Sequence, residues 1–437
     1  MTTFEDILRR SALRTPGKVA IGTSHYFISY AELWKEVCNM ACELGDVRGK
    51  AIAFRATPEV DTLVRYFALH IHGATAVLLD KDMPEAAEAE LKQRLAATPP
   101  PPGVADILFT TGTTGQAKGV MISHDAIIAN AENLIDAQGY TQETEFIVNG
   151  PLNHIGSLSK IFPTLYVGGT VEIIDGMRDL NAFFKIIERS LTNKVATFLV
   201  PANIRILLAL GRQKLESLAN KIDFIETGAA PLAQSDMEKL CATLPQTRLF
   251  NTYASTETGI IATFNFNAGE CLAGCLGTPM THSQLSITPD GRVRCSGPTL
   301  MTGYYDDPAL TASILQDNAI VTNDLAYLDE QGRLRLTGRD DDVINIDGFK
   351  VNPAEVEEAA MSVACVKDCI CVADATKLGN RLKLIVVPNG PAPDFKTEIA
   401  SALRLRLEPH KVPTAYEAAD KIKRTFNGKL DRKAYRE

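Results

Sequence analysis

Threonines, glycines and one lysine cluster between residues 106 and 124 of this sequence. Glycines let successive backbone N–H groups turn toward an anion, hydroxyls add hydrogen-bond donors, and a lysine adds positive charge. These types predict a phosphate-binding loop, whose contacting residues are Thr110, Thr111, Gly112, Thr113, Thr114, Gly115 and Lys118. Composition alone also permits a polar hairpin loop without a ligand.

This segment does not follow the Walker A pattern. That pattern requires Gly-Lys followed by Ser or Thr at the start of a helix. Here residues 119–122 have strand composition, and the next helix is predicted to begin after Ser123. The lysine therefore precedes a strand.

The region 195–259 predicts a parallel α/β sheet that would position further polar groups. Apolar runs of strand composition alternate there with helix-like segments, at 195–200, 202–210, 222–227, 233–243 and 247–252. Ligands of such sheets bind outside the carboxyl ends of the strands. The segments 228–231 and 253–257 follow two of these ends, so we expect them to share one crevice.

The residues before the threonine-rich loop are predicted to be of mixed structure with several helices. Apolar residues follow helical spacing from Phe4, Ser29 and Glu32 form a capping box, and 84–97 consists of strong helix formers. The four prolines at 99–102 cannot continue that helix and predict a short stiff connector.

A second, smaller domain is predicted after residue 339. A hairpin signal at 329–332 and a charged stretch at 338–342 end one periodic region. The next begins at Asn352 with a helix cap and continues with strand-like and helical segments at 366–373, 382–387 and 395–407. The prediction is an α/β protein with a large amino-terminal domain, residues 1–339, of parallel-type sheets layered with helices, and a small α+β domain, residues 340–437.

Composition excludes several classes of function. The chain has 437 residues, of which 45% are hydrophobic and 22% charged, with a formal net charge of −8, so we expect a soluble globular protein without a nucleic-acid partner.

The cysteines indicate a reducing compartment, because there are nine of them without a CxxC pair. Cys369 and Cys371 alternate in an apolar run, which favours buried strand packing over a metal cluster with Cys365. We expect no membrane span and a cytoplasmic location.

Six motifs lie in one order along the chain, at residues 110–119, 151–154, 253–257, 321–325, 338–357 and 427–432. Together they resemble the signatures of the adenylate-forming superfamily, which includes acyl-CoA synthetases, adenylation domains of peptide synthetases and luciferases. The lobe before residue 104 is shorter than is usual in that superfamily. The resemblance implies that a carboxylic acid displaces pyrophosphate from ATP, and that the acyl-adenylate is then attacked by the thiol of coenzyme A or of a carrier protein's phosphopantetheine. Both first reactants are anionic, so positioning and electrostatics would provide the catalysis.

The resemblance also implies roles for residues of this chain. Residues 110–118 would hold the β- and γ-phosphates of ATP, with Gly228 and Ala229 also at the nucleotide. The remaining nucleotide contacts would be made by Thr256 to the α-phosphate, Glu257 to Mg²⁺, Tyr253 along the adenine, Asp324 to the ribose hydroxyls and Arg339 in support of Asp324. Without the surrounding motifs, Glu257 would be interpreted as an acidic residue at a helix start, and Asp324 would be interpreted as a turn residue.

Three further roles concern the small domain, which the resemblance implies to be mobile. Lys429 would bridge the attacking carboxylate and the α-phosphate, although alone it would be a surface lysine. Asp341 would be the hinge, and Gly348 would approach the tunnel for the thiol.

The sequence departs from the superfamily at two glycines. Ala254 and Asn323 replace them, and 422–424 lacks the common proline before the terminal lysine. We expect the two replacements to shift the backbone beside adenine and ribose, or to require a different turn there.

The acid is expected to lack an α-amino group. Residues 153–157 contain no carboxylate that could pair with an ammonium, and a buried unpaired ammonium is costly. His154 resembles a histidine of many acyl- and aryl-CoA ligases, and the alternative is a core histidine satisfied by hydrogen bonds. The predicted pocket walls are Ser157, Thr227, Gly228, Asn251 and Ile260.

Three functions remain open from the sequence. The first is an acyl- or aryl-CoA ligase, and the second is an enzyme that loads an acyl carrier protein, since the basic residues at 421–433 could meet either acceptor. The third is a nucleotide-binding protein that has lost catalysis, which the short lobe and the altered glycines suggest.

Overall fold

The computed structural model describes residues 3–111, 117–346, 349–376, 379–391, 393–425 and 430–435. The α-helices in these residues are α1 Phe4–Arg14, α2 Tyr30–Glu43, α3 Val60–Ile71, α4 Glu85–Ala97, α5 His124–Gln138, α6 Ile155–Tyr166, α7 Leu180–Arg189, α8 Pro201–Leu210, α9 Arg212–Ser217, α10 Gln234–Thr243, α11 Pro308–Ile314, α12 Pro353–Met361 and α13 Phe395–Arg404. No helix in this part of the chain is long and apolar enough to cross a membrane.

The strands of the first half are β1 Val19–Gly22, β2 Phe27–Ser29, β3 Ala51–Arg55, β4 Thr75–Leu79, β5 Val104–Thr111, β6 Ala117–Ser123, β7 Glu145–Val148, β8 Thr170–Ile173, β9 Val195–Leu199, β10 Ile222–Thr227, β11 Arg248–Ser255 and β12 Gly259–Asn265. Those of the second half are β13 Cys275–Pro279, β14 Gln284–Ile287, β15 Arg292–Ser296, β16 Gly303–Tyr304, β17 Leu315–Gln316, β18 Ala319–Leu328, β19 Leu334–Arg339, β20 Ile344–Ile346, β21 Phe349–Val351, β22 Val366–Thr376, β23 Gly379–Pro388 and β24 Ala415–Ala418.

The largest sheet changes from parallel to antiparallel along its width. Its strand order is β14-β15-β18-β19-β13-β12-β11-β10-β9-β7-β8-β1-β2, with β17 paired to β18, and β11 through β1 run parallel. A second sheet has the order β16-β6-β5-β4-β3. The predicted α/β fold class is therefore confirmed, and helices cover the parallel strands as expected for sheets buried on both faces.

Strand β11 is longer than predicted. It continues through Tyr253 to Ser255 because its last residues pair antiparallel with β12. The segment 253–255 is thus held on a strand and not on a loop, which fixes the direction of each side chain by alternation.

The helix starts follow the predicted caps. The Ser29 and Glu32 side chains each accept from the other's backbone N–H at the start of α2, as the capping box predicts, and Thr3 with Asp6 does the same for α1. The Asn352 side chain accepts from the Ala354 N–H at the start of α12.

The residues after 340 form their own apolar core. Strands β22, β23 and β24 form a three-stranded sheet, and α12 and α13 pack in the same cluster of buried side chains. Cys369 and Cys371 lie in that cluster, as the packing prediction states. Helix α13 ends at Arg404, earlier than predicted, because its last buried apolar residue is Leu403 and Leu405 is exposed. The domain boundary after residue 339 stays a prediction.

Candidate active site

Strands β5 and β6 form the hairpin on which the predicted phosphate loop lies. Thr110 pairs with Lys118, and Phe109 pairs with Gly119. A β-carbon at Gly119 would lie 3.0 to 3.1 Å from side-chain atoms of Ile107, Phe109 and Tyr305, so only glycine fits at this position without a shift. Of the predicted site, Gly112, Thr113, Thr114, Gly115, Gly348 and Lys429 lie outside the described residues.

Lys118 is connected to Glu257 through an aromatic ring. Its Nζ lies 5.6 Å from the ring centroid of Tyr304, and the Tyr304 hydroxyl donates to Glu257 Oε1 at 3.2 Å. Burial, together with the charge of Glu257, raises the pKa of Tyr304, so this hydroxyl stays a donor at neutral pH. The structure thus brings two sequence-predicted residues together through a tyrosine that sequence reasoning missed.

A tight turn presents Thr256 and Glu257 between β11 and β12. The Ser255 N–H donates to Thr258 Oγ1 at 3.2 Å, and the Thr258 N–H donates to Ser255 Oγ at 3.0 Å. The Glu257 carbonyl also accepts from the Met301 N–H at 2.8 Å. These bonds fix the backbone of the turn and leave both side chains half-buried.

Tyr253, Asp324 and Arg339 form a second polar group. The Tyr253 hydroxyl donates to Asp324 Oδ2 at 2.6 Å, and Asp324 Oδ1 lies 3.5 Å from Arg339 Nη1. Asp324 and Arg339 face each other in the β18–β19 ladder, which explains the pairing. Burial and the Asp324 charge raise the pKa of Tyr253, so its proton remains on the hydroxyl.

Arg339 also reaches the residue predicted as the hinge. Its Nε lies 3.0 Å from Asp341 Oδ1, in the short 3₁₀ turn that follows β19. Beside it, the Asn352 amide donates to the Thr337 carbonyl. The start of α12 is therefore tied to β19 directly.

The segment after β10 approaches β11 closely. A β-carbon on Gly228 would lie 2.9 Å from the Thr252 carbonyl oxygen, so this position requires glycine. Ala229 has φ of 65°, a left-handed conformation that costs a residue with a β-carbon about 1–2 kcal/mol. Such strain is concentrated at functional sites, and Ala229 is exposed at the predicted nucleotide crevice.

The two replaced glycines need no unusual backbone. Ala254 lies on β11 and Asn323 on β18, and both have φ outside the left-handed region. The expected shift of the backbone is therefore not required, because any residue adopts an extended conformation.

His154 and Ser157 lie where helix α6 begins. His154 is the residue before the first helical position, and burial lowers its pKa while the charge of Asp80 opposes that effect. Ser157 is buried, and its hydroxyl occupies the space where a side chain on Gly150 would lie. The Ile260 N–H donates to Asn130 Oδ1 at 2.7 Å, which holds the start of β12 against α5.

Two predicted wall residues do not face α6. Glu226 faces that helix, so its neighbour Thr227 points to the other side of the sheet. The Asn251 amide donates to the Cys275 carbonyl at 3.1 Å. By register, Thr252 lies beside Gly228 on the helix-facing side.

A buried ion pair under α6 was missed by the sequence prediction. Lys160 Nζ lies 2.8 Å from both carboxylate oxygens of Glu226, and the two side chains are 3% and 1% exposed. Lys160 Nζ is also 5.4 Å from the ring centroid of Phe198. The available signal was a lone lysine in the apolar run 155–166 and a glutamate beside apolar residues in the run 222–227, with opposite signs.

The Phe198 ring connects this pair to the crevice. β-carbons placed on Gly156 and on Gly228 would each lie 3.5 Å from it. Gly156 and Gly228 therefore place no side chain against the Phe198 ring, which lies next to the segment predicted to hold the acid.

Comparisons with known proteins agree with this architecture. The family model described as AMP-binding enzyme matches residues 82–305, and that of the AMP-binding enzyme C-terminal domain matches residues 355–429. The ATP-bound structure of MatB from Rhodopseudomonas palustris has a TM-score of 0.87, covers 99% of both chains and is 22% identical, which shows a shared fold.

Two relatives illustrate the range of the family. The isonitrile lipopeptide synthase of Streptomyces coeruleorubidus is 30% identical over 97% of this chain and 32% of its own length. The long-chain-fatty-acid–CoA ligase of Bacillus subtilis (strain 168) is 28% identical over 76% of this chain and 61% of its own length. The chain thus spans less than two thirds of either relative. The two family matches together show that the chain belongs to the AMP-binding enzymes, a family of adenylate-forming ligases.

Proposed function

We propose that the chain activates a carboxylic acid without an α-amino group as its acyl-adenylate, with release of pyrophosphate, and transfers the acyl group to the thiol of coenzyme A. The observation that carries this proposal is the hydrogen-bonded group of Tyr253, Asp324 and Arg339. These residues come from three separate motifs, and a charged carboxylate beside a buried aromatic ring suits the ribose and base of a nucleotide.

The residues present fit an adenosine nucleotide. Asp324 has two oxygens that can accept from ribose hydroxyls, and Arg339 holds it in place from the facing strand. Tyr253 would lie along the adenine, with Gly228 and Ala229 close to the base because the backbone there has no bulky side chain. Thr256 would donate to the α-phosphate.

The phosphate end is proposed to use the β5–β6 hairpin. Lys118 and the residues 110–115 would hold the β- and γ-phosphates, since neutralising the charge of ATP is a precondition for attack by a carboxylate. Glu257 would bind Mg²⁺, whose preferred ligands are oxygens, and bound Mg²⁺ supplies further charge neutralisation. The Tyr304 hydroxyl would orient that carboxylate.

The small domain is proposed to serve both half-reactions. Lys429 would lie between the carboxylate and the α-phosphate during adenylation. Asp341 would act as the hinge, and Gly348 would line the path of the thiol afterwards. The contact between Arg339 and Asp341 supports this proposal, because it joins the hinge to the nucleotide residues.

The acid pocket is proposed to lie between α6 and β10, with His154, Ser157, Gly228 and Ile260 at its walls. Glu226 is a buried carboxylate beneath α6, and Lys160 already pairs with it at 2.8 Å. An incoming ammonium would have no unpaired carboxylate there, whereas the Phe198 ring offers apolar surface. An acyl or aryl acid fits this arrangement better than an amino acid does.

The second candidate is loading of a carrier protein. It is favoured by the likeness, over 97% of this chain, to a protein named as a lipopeptide synthase. Both acceptors present a phosphopantetheine thiol, so the nucleotide and acid residues would act in the same way.

The proposal is tested by ATP–pyrophosphate exchange without any thiol, across aryl, short-chain, long-chain and amino acids. We expect exchange that depends on an acid without an α-amino group. Exchange with amino acids alone would contradict the proposed acid class. ATP binding without exchange for any acid would identify a nucleotide-binding protein that has lost catalysis. Competition between coenzyme A and a phosphopantetheinylated carrier for the adenylate would then decide the acceptor.

A further inference from the structure

A cluster of buried ionisable side chains has no part in the proposed reaction. It combines Glu5 of α1, Tyr66 and His70 of α3, Asp106 of β5 and His124, the first residue of α5. One carboxylate oxygen of Glu5 and one ring nitrogen from each of His70 and His124 all lie within 4.8 Å of one another. One oxygen and two imidazole nitrogens this close together could serve as three ligands of a transition-metal ion.

Asp106 orients His70. His70 Nε2 lies 3.1 Å from Asp106 Oδ1 and 3.1 Å from the Ala105 carbonyl, and Asp106 Oδ2 accepts from the Tyr66 hydroxyl at 2.8 Å. Both neighbours of Nε2 are acceptors, so Nε2 carries a proton and Nδ1 faces Glu5. A carboxylate that orients a histidine in this way is the usual partner of metal-binding histidines.

Two polar atoms of the cluster are left without hydrogen-bond partners. Glu5 Oε2 and His124 Nδ1 are both shielded from solvent and accept or donate no hydrogen bond among the described residues. Glu5 as a whole is only 3% exposed. A buried carboxylate oxygen without a partner is costly, so a group that binds it would be expected.

The surrounding carboxylates point in the same direction. Glu5 Oε1 lies 2.9 Å from His70 Nδ1, and Asp106 Oδ1 lies 3.1 Å from His70 Nε2. A cation held between Glu5, His70 and His124 would give Glu5 Oε2 and His124 Nδ1 the partner that they lack among the described residues.

We propose that Glu5, His70 and His124 bind one divalent transition-metal ion of the zinc class. Typical zinc distances of about 2.0–2.2 Å to nitrogen and oxygen need two ligand atoms roughly 3 Å apart, which the separation of His70 Nδ1 and Glu5 Oε1 matches. Imidazole ligands favour zinc-class ions over Mg²⁺. The ion joins α1 and α3 to the start of α5, directly after the β6 strand of the phosphate hairpin.

The test uses the full chain, stripped with a chelator and titrated with Zn²⁺ or Co²⁺ alone. We expect one metal ion per chain, a rise in thermal unfolding temperature with Zn²⁺, and visible Co²⁺ bands without the near-ultraviolet band of a thiolate ligand. Glu5→Gln and His124→Gln abolish this binding. Asp106→Asn weakens it about ten- to hundredfold, because it removes the group that orients His70.

His282→Gln is the matched control, since His282 forms a half-exposed pair with Glu132 at 2.9 Å and should leave metal binding unchanged. Absence of metal uptake by the intact protein would overturn the proposal, as would a thiolate band or equal binding by Glu5→Gln. If a variant fails to fold, the stoichiometry and Co²⁺ spectrum of the unchanged protein still decide the question. None of these readouts depends on adenylation.

Discussion

The proposed nucleotide side and the proposed acid side of the crevice are built differently. On the nucleotide side, the buried Tyr253 donates to Asp324, Tyr304 donates to Glu257, and both of these carboxylate side chains are only half-buried. On the acid side, Lys160 and Glu226 form one ion pair that is almost wholly buried. The first arrangement leaves acceptors for a ligand, whereas the second satisfies its charges internally.

Partly exposed polar residues and buried charged residues should therefore respond differently to mutation. Partly exposed polar groups contribute little to folding and are available to substrate, so their loss should affect kinetics. A buried charge pair cannot lose one partner without leaving the other uncompensated, so its loss should affect stability first. Mutations on the two sides should therefore be distinguishable by which measurement changes.

The largest effect is expected for Lys160→Met. Removing the ammonium leaves Glu226 buried without a counter-charge, which should destabilise the protein by about 3–5 kcal/mol. Denaturant unfolding followed by circular dichroism and by the fluorescence of the single tryptophan, Trp34, measures this change.

The matched control is the double variant Lys160→Met with Glu226→Leu. It removes both charges and should recover most of the lost stability, because apolar replacement of a whole buried pair is often neutral. Equal destabilisation of the single and double variants would show that packing against Phe198, and not charge, is what matters at this position.

The motifs that contain the proposed nucleotide residues are visible in the sequence, whereas the buried ion pair under α6 is not. The recognisable motifs contain Asp324, Arg339 and Glu257, and their order is visible in the chain. The alternation at 195–252 also predicts the parallel strands β9, β10 and β11. The Lys160–Glu226 pair joins a helix and a strand 66 residues apart, and no local pattern specifies that contact.

Side-chain direction explains why two of the suggested wall residues do not face α6. The sequence suggested Thr227 and Asn251 as wall residues from their position near strand ends. Strand alternation, together with the register of β10 against β11, instead turns Glu226 and Thr252 toward the face of the sheet on which α6 packs. That register depends on the partner strand, so a single strand's sequence does not fix it.

Lys429→Ala sharpens the comparison because this residue is proposed to act between the two sides. We expect adenylate formation to fall about 100- to 1000-fold, the usual loss for a group that stabilises developing charge, with unchanged stability. Thiol transfer from supplied acyl-adenylate should stay largely intact. Lys396→Ala, an exposed lysine of helix α13, is the control. Equal loss of both half-reactions would contradict the assigned role.

Asp324→Asn should reduce kcat/KM for ATP about 10- to 100-fold, since a hydrogen bond to a charged group contributes about 1.5–3 kcal/mol. If Asp324 accepts from the ribose, the variant should also discriminate less between ATP and 2′-deoxy-ATP than the unchanged enzyme does. Asp290→Asn, in an exposed hairpin, controls for loss of surface charge. Undiminished discrimination in the Asp324 variant would place the ribose elsewhere.

Tyr304→Phe should have the smallest effect and separates orientation from packing on the nucleotide side. The variant keeps the ring near Lys118 and removes only the hydroxyl that donates to Glu257 at 3.2 Å. This bond is long and acts on the proposed metal only through Glu257, so we expect its loss to cost only roughly 1 kcal/mol and to raise the Mg²⁺ concentration for half-maximal pyrophosphate exchange about fivefold. Tyr305→Phe loses a hydroxyl that donates to the Thr98 carbonyl, away from Glu257, and should leave the Mg²⁺ dependence unchanged. A matching shift in both variants would mean that the tyrosines act through packing of the hairpin alone.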